Sequence, residues 1–208
     1  PTILIDQVND LPNMTREQLR PIDRMVRNVL SPLEFLSVRR VYLTGDGDSY
    51  QAVRAAEMAF ENIAHIPCEP LSAQRFLNYG AEWIESWAPN DNLVVGISAG
   101  GRTQRVVEAL EQAKACGALT VAITGNGEGP VSRAADRTIE VSLPDMGRSP
   151  GIRTYNASLM SLLLLAIRLG EMKDRYHQVE ANKMRQEIGQ LAEVMEATIQ
   201  ANHAPAIK

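Results

Sequence analysis

From Leu93 to Ile97 the chain reads Leu-Val-Val-Gly-Ile, with no polar side chain, and then changes abruptly to Ser-Ala-Gly-Gly-Arg-Thr over 98–103. An apolar run of this length predicts a strand covered on both faces, as in a parallel sheet. Beyond it, Val106, Val107, Leu110 and Ala113 recur at helical spacing and predict a helix over 102–116 with one buried face. The same order occurs earlier, where the strand Val41 to Thr44 leads through Gly45-Asp46-Gly47-Asp48-Ser49 into a helix from about Tyr50 to Ile63. Ala118 to Ile123 reads as a third strand ending in Thr124-Gly125-Asn126-Gly127, and Arg137 to Ser142 as a fourth. Strands alternating with helices imply an α/β fold around a parallel sheet, whose ligands bind outside the carboxyl ends of the strands.

The loop after Ile97 has the chemistry for an anion. Ser98 and Thr103 offer hydroxyls, Gly100 and Gly101 permit close backbone approach, and the following helix presents its amide groups. A helix N-terminus contributes about 0.3 to 2 kcal/mol toward an anion, and each hydrogen bond to a charged group about 1.5 to 3 kcal/mol. Several together give ordinary metabolite affinity. Taken alone, the same residues are equally those of a plain strand-to-helix turn.

The order of motifs resembles the sugar isomerase (SIS) domain family of phosphosugar isomerases and sugar-phosphate-sensing regulators, in particular the first SIS copy of two-domain isomerases. The resemblance covers roughly 38–170 and rests on GDGDSYQAVRAA at 45–56, HIPCEPLSAQRF at 65–76, ISAGGRT at 97–103, AKACGALTVAITGN at 113–126, AAD at 134–136 and SPGIRTYNASLMSLLLLA at 149–166. It implies a flavodoxin-like three-layer αβα sandwich around a five-stranded parallel sheet, with the fifth strand near Ile66 to Leu71. The family's phosphate loop usually reads Ser-Gln-Ser-Gly-Glu-Thr, so Ser98, Gly101 and Thr103 match whereas Ala99, Gly100 and Arg102 depart. Its first loop commonly reads Gly-Thr-Ser, so Gly47 and Ser49 match and Asp48 replaces a hydroxyl. Thr154 falls near a position beside the bound sugar. The implied ligand-binding set is therefore Gly47, Asp48, Ser49, Ser98, Gly100, Gly101, Arg102, Thr103 and Thr154.

Asp48 is the departure that matters most. Like charges about 4 Å apart repel by roughly 4 kcal/mol at an effective dielectric of 20, enough to offset two hydrogen bonds to a phosphate. Either Asp48 turns away to cap the helix beginning near Ser49, or the ligand is unusual, with an amine for the carboxylate to meet. Arg102 either restores positive charge to the site or faces solvent in the first helical turn.

Composition narrows the classes. With 208 residues, 45% of them hydrophobic, the chain accommodates one sheet domain over 38–170, a helical arm over 1–37 and a second arm or linker over 171–208. The net charge of -4, with scattered Lys and Arg, gives no basic stripe, so no nucleic-acid partner is expected. The longest apolar run, Leu162 to Ile167, is too short to cross a bilayer, and nothing resembles a signal peptide; no membrane partner and a cytoplasmic location are expected. Cys68 and Cys116 lack metal-ligand spacing and read as buried small hydrophobes. Asp46-Gly47-Asp48 lacks the later acidic residue of a calcium loop, so no metal is expected. His65, His177 and His203 lie in separate segments, and His65, before Ile66-Pro67, reads as a turn residue.

Thr15 with Gln18 predicts a capping box opening a helix to about Leu30, with Pro21 near its first turn and the arm packed on the sheet. Glu171 to Ala201 reads as one charged helix, with Met184, Ile188, Leu191, Val194, Met195 and Ile199 on one face. That stripe predicts core or a subunit interface, and with it a homodimer or higher oligomer.

Aldose-ketose isomerisation needs a general base but no cofactor. In the two-domain enzymes that this chain resembles, the catalytic groups lie in the second SIS copy or beyond it, and this chain has no second copy. Glu57, Glu61 and Glu82 are local carboxylates that read more simply as solvated surface. The leading expectation is a phosphosugar-binding domain of an aldose-ketose isomerase-like enzyme. The alternatives are a non-catalytic sugar-phosphate sensor and a deglycase or deaminase of an amino sugar phosphate.

Overall fold

The computed structural model describes residues 2–84, 88–147 and 150–206, with side chains as far as residue 202. Strands β1 (Arg40–Gly45), β2 (Cys68–Ser72), β3 (Asn92–Ile97), β4 (Leu119–Thr124) and β5 (Arg137–Glu140) form one sheet in the order β2-β1-β3-β4-β5. Every neighbouring pair is parallel. The helices are α1 (Ile3–Asn28), α2 (Pro32–Ser37), α3 (Asp48–Asn62), α4 (Ala73–Arg75), α5 (Gln104–Ala115), α6 (Pro130–Ala134), α7 (Arg153–Met172) and α8 (Gln178–Ala206). A π turn and a 3-10 turn over Phe76–Trp83 follow α4.

Alternation along the strands divides the core in two. Val41, Leu43, Val95 and Ile97 join residues of α1, α3, α7 and α8, while Tyr42, Val94 and Ala122 face Val106 and Leu110 of α5. β3 is buried at every position, which is why its sequence shows an apolar run and not alternation. Gly96 is the exception to that bulk: an added Cβ would lie 2.9 Å from Leu110 Cγ, so the glycine lets α5 seat against the strand.

The arms differ from the sequence reading. α1 runs unbroken through Pro12 and Pro21, and the expected capping box at Thr15 is absent because Thr15 lies mid-helix, its hydroxyl donating to the Leu11 carbonyl. Burial overrides propensity here: Met14, Ile22 and Val26 are buried in the core shared with α7 and α8. A true capping box stands at Ser31 and Glu34, ahead of α2 with Pro32 at its first position. The arm packs chiefly on α7 and α8, and its main contact with the sheet is at β5.

The C-terminal segment is two helices. α7 stops at Met172, the chain turns through Asp174 at φ 55°, and the Tyr176 hydroxyl donates back to the Ile167 carbonyl at 2.7 Å. Gly170 leaves the room that the Tyr176 hydroxyl occupies. Of the expected stripe on α8, Ile188 is buried while Leu191 and Val194 are exposed. Among the described residues, no helix is long and apolar enough to cross a membrane. Cys68 is buried, and burial pushes its thiol well above the ordinary range.

A charged network joins the arms. Arg185, 6% exposed, donates to Asp23 at 2.9 Å, to Glu171 at 2.6 Å and to Asn182 at 3.1 Å, and Arg168 donates to Glu171 at 3.0 Å. Burial alone would raise the Glu171 carboxyl, but hydrogen bonds from Arg185 and Arg168 outweigh it and hold it below its ordinary value. Asp136 behaves alike: burial opposes, and bonds from Thr120 and Lys114 prevail. Both groups titrate lower folded than unfolded, so their stabilisation is complete above the unfolded values, about 3.9 to 4.3, and is lost as pH falls through the folded ones. The melting temperature should hold from neutral pH to about pH 5 and fall below about pH 4. Glu171→Gln should flatten that fall; a melting curve with unchanged acid slope would remove the claim for Glu171.

Candidate functional site

The sheet order places a topological switch between β1 and β3, where chains leave their carboxyl ends in different directions. β1 ends at Gly45, where an added Cβ would stand 2.9 Å from Ser49 Cβ and 3.3 Å from the Ile97 carbonyl oxygen. The glycine thus lets the first turn of α3 fold against the end of β3. Gly47, at φ 55°, turns the chain into α3. At the end of β3, the Ser98 and Thr103 hydroxyl oxygens share a hydrogen bond at 2.8 Å, and the Gly101 N–H donates to the Ser98 carbonyl.

A cavity of about 230 Å³ lies between these loops and the start of α7, lined by Asp46, Asp48, Ser49, Ser98, Ala99, Gly100, Thr103, Thr154, Tyr155 and Ser158. First-turn or N-cap residues of three helices border it: Asp48 and Ser49 of α3, Thr103 of α5, Thr154 and Tyr155 of α7. None of the three helices is capped by a side chain. Thr103, the N-cap of α5, spends its hydroxyl on Ser98. Three positive helix ends form a setting for an anion, with the Ser49 and Tyr50 amides of α3 already donating to the Asp46 and Gly47 carbonyls.

A sequence profile described as "SIS domain" matches residues 34–168, well over half the chain. The chain belongs to the SIS domain family. It is 33% identical over 141 residues to glutamine--fructose-6-phosphate aminotransferase [isomerizing] of Pseudomonas syringae pv. tomato (strain ATCC BAA-871 / DC3000), covering 67% of this chain and 22% of that protein. It is 23% identical to fructoselysine 6-phosphate deglycase of Escherichia coli O157:H7, over 74% of this chain and 45% of that protein. Among solved structures, tagatose-6-phosphate ketose/aldose isomerase from Escherichia coli superposes with a TM-score of 0.70 at 15% identity, over 97% of this chain and 54% of the other. This SIS chain therefore spans less than half the length of both relatives compared by sequence.

Of the residues implied by the SIS resemblance, Asp48, Ser49, Ser98, Gly100, Thr103 and Thr154 border one cavity. Gly47 and Gly101 shape the turns behind it, both at positive φ. Arg102 is exposed, precedes α5 and does not line the cavity, so it gives no sign of restoring positive charge there. Ser149, which opens the last SIS motif, lies outside the described residues. Asp46, Tyr155 and Ser158 escaped the sequence reading; Ser158 stands one helical turn beyond Thr154, a spacing that flags it once Thr154 is chosen.

The capping role expected for Asp48 is overturned. Gly47 is the N-cap, Asp48 is the first residue of α3, and its Oδ2 accepts the Gly151 N–H at 3.1 Å. The carboxylate still suits the helix's positive end, but its hydrogen-bond partner is a loop 103 residues away. That loop is held from behind as well. Gln7 of α1 donates to the Gly147 carbonyl at 3.1 Å, and Arg153 places its Nε 2.7 Å from Asp10 and donates to the Pro144 carbonyl at 2.8 Å.

Asp48→Asn keeps an oxygen for Gly151 and removes one negative charge, so stability should change by less than about 1 kcal/mol while affinity for a sugar phosphate holds or rises. Calorimetric titration of both proteins checks this. A general loss of affinity would show that the carboxylate contacts the ligand.

Proposed function

We propose that this chain binds a sugar phosphate, seating the phosphate at the N-terminus of α5 between Ser98 and Thr103 and the sugar toward Ser49 and Thr154. The observation that carries the reading is the meeting of three helix N-termini, none capped by a side chain, at one hydroxyl-lined cavity. The activity proposed for the protein to which this SIS domain belongs is aldose-ketose isomerisation of a phosphosugar. Its relatives' names support that class, since they include an isomerizing aminotransferase and a ketose/aldose isomerase.

The test is a thermal-shift comparison of fructose 6-phosphate with fructose. A ligand at 100 times its dissociation constant stabilises by about 2.7 kcal/mol, so the phosphorylated sugar should raise the melting temperature and the free sugar should not. Equal responses would end the phosphate assignment.

A second reading, binding without chemistry, draws on the two carboxylates at the cavity. Isomerisation needs a base aimed at a carbon-bound proton, and each of these carboxylates has one oxygen tied to an amide, Asp46 to the Ala73 N–H at 3.3 Å and Asp48 to that of Gly151, which leaves a single oxygen of each for chemistry. Incubation with fructose 6-phosphate in deuterated water separates the two. Deuterium entering the sugar at C1 or C2 identifies catalysis, and binding without exchange identifies a sensor.

A further inference from the structure

Next to the first cavity lies a second of about 190 Å³, which shares Ala99, Thr154 and Ser158 with it. It lies past the carboxyl ends of β4 and β5, and its lining includes the apolar Ile123, Val141, Leu143 and Ala157 and the hydroxyl-bearing Ser142 and Ser158. A cavity of about 150 Å³ holds a molecule the size of benzene, so this space exceeds what a stray water requires. Ala99 borders both cavities, and its side chain ends at Cβ, so it adds little bulk where they adjoin.

We propose that the ligand is a sugar phosphate bearing a small uncharged substituent, with a polar atom near the ring and an apolar end, of the kind an acylated amine supplies, and that this substituent fills the second cavity. The proposal rests on the phosphosugar reading of the first cavity. Three features select the chemistry. The described walls carry no charged side chain, so a free ammonium or carboxylate pushed into this space would lose water without gaining a partner. The apolar residues Val141, Leu143 and Ala157 suit a methyl or short alkyl end. The hydroxyls of Thr154 and Ser158, at the junction with the sugar cavity, suit the amide oxygen and nitrogen that link such an end to a ring.

The experiment is a calorimetric titration of the full chain with glucose 6-phosphate, glucosamine 6-phosphate and N-acetylglucosamine 6-phosphate. The N-acetyl sugar should bind about tenfold more tightly than glucose 6-phosphate, the factor that one buried methyl and one amide hydrogen bond bring together. Ala157→Leu extends a side chain into the second cavity alone and should abolish that preference while glucose 6-phosphate still binds. Ser142→Leu, at an exposed position of the same wall, repeats the test where folding is not at issue. Equal affinities for the three sugars, or a preference for glucosamine 6-phosphate, would overturn the proposal and leave the phosphosugar reading standing. An N-acetyl preference that survives both substitutions would overturn the placement in this cavity. No binding of any of the three would overturn both readings together.

Discussion

Arg185→Ala should destabilise the protein by about 3–5 kcal/mol, the range found when one member of a buried ion pair is removed. Arg185 is 6% exposed and is the sole described link between Asp23 of α1 and Glu171 of α7. Without it, Asp23 keeps Arg27 and Glu171 keeps Arg168, but two half-buried carboxylates then face each other across an emptied space. For a chain of this size each kcal/mol moves the melting temperature by roughly 2–4 °C, so a drop on the order of 10 °C is expected. Arg185→Met combined with Asp23→Met should recover much of it, because Glu171 keeps Arg168 and the partly exposed Arg27 can turn to solvent, so no buried charge is stranded. Chemical denaturation of the three proteins measures both effects. A loss below about 1 kcal/mol for Arg185→Ala would mean that water, not Arg185, satisfies the carboxylates.

Ser98→Ala with Thr103→Val should lower affinity for a sugar phosphate by roughly 10- to 150-fold, the equivalent of one lost hydrogen bond to a charged group, because one of the two hydroxyl protons is already given to the other hydroxyl. The same pair of changes should barely alter stability. The two hydroxyls bond each other, and removing both partners of a hydrogen bond in favour of apolar groups of similar shape is nearly neutral. Thr103 makes no capping bond to α5 that its loss would forfeit. Titration calorimetry beside a melting curve tests both halves. Unchanged affinity in a folded double variant would move the phosphate away from this loop.

What the sequence disclosed follows from the range over which each feature is decided. β3 and β4 are buried throughout and were legible as apolar runs. β2 is an edge strand with Pro70 inside it and a mixed pattern of exposure. Proline suits an edge but hides the strand, whose position came only from the family resemblance and whose start is Cys68, not Ile66. α1 was misread because a plausible capping box at Thr15 and Gln18 with Pro21 beyond it is a local signal, whereas the burial that holds the helix together is distant. At the site, the hydroxyls and glycines of 98–103 were legible because strand, loop and helix are consecutive. The partner of Asp48 was not, since nothing around position 48 announces an amide at position 151.

The contacts of Gln7 and Asp10 with the loop before α7 redraw the border of the working unit. The family's match begins at residue 34, yet the segment carrying Gly151 and Thr154 is fastened by side chains from the first three turns of α1. Fragments trimmed to the matched interval would keep every residue that lines the cavity and lose what holds one of its walls. If a sugar phosphate binds as proposed, substitutions at Gln7 or Asp10 should change its affinity although neither residue lines the cavity.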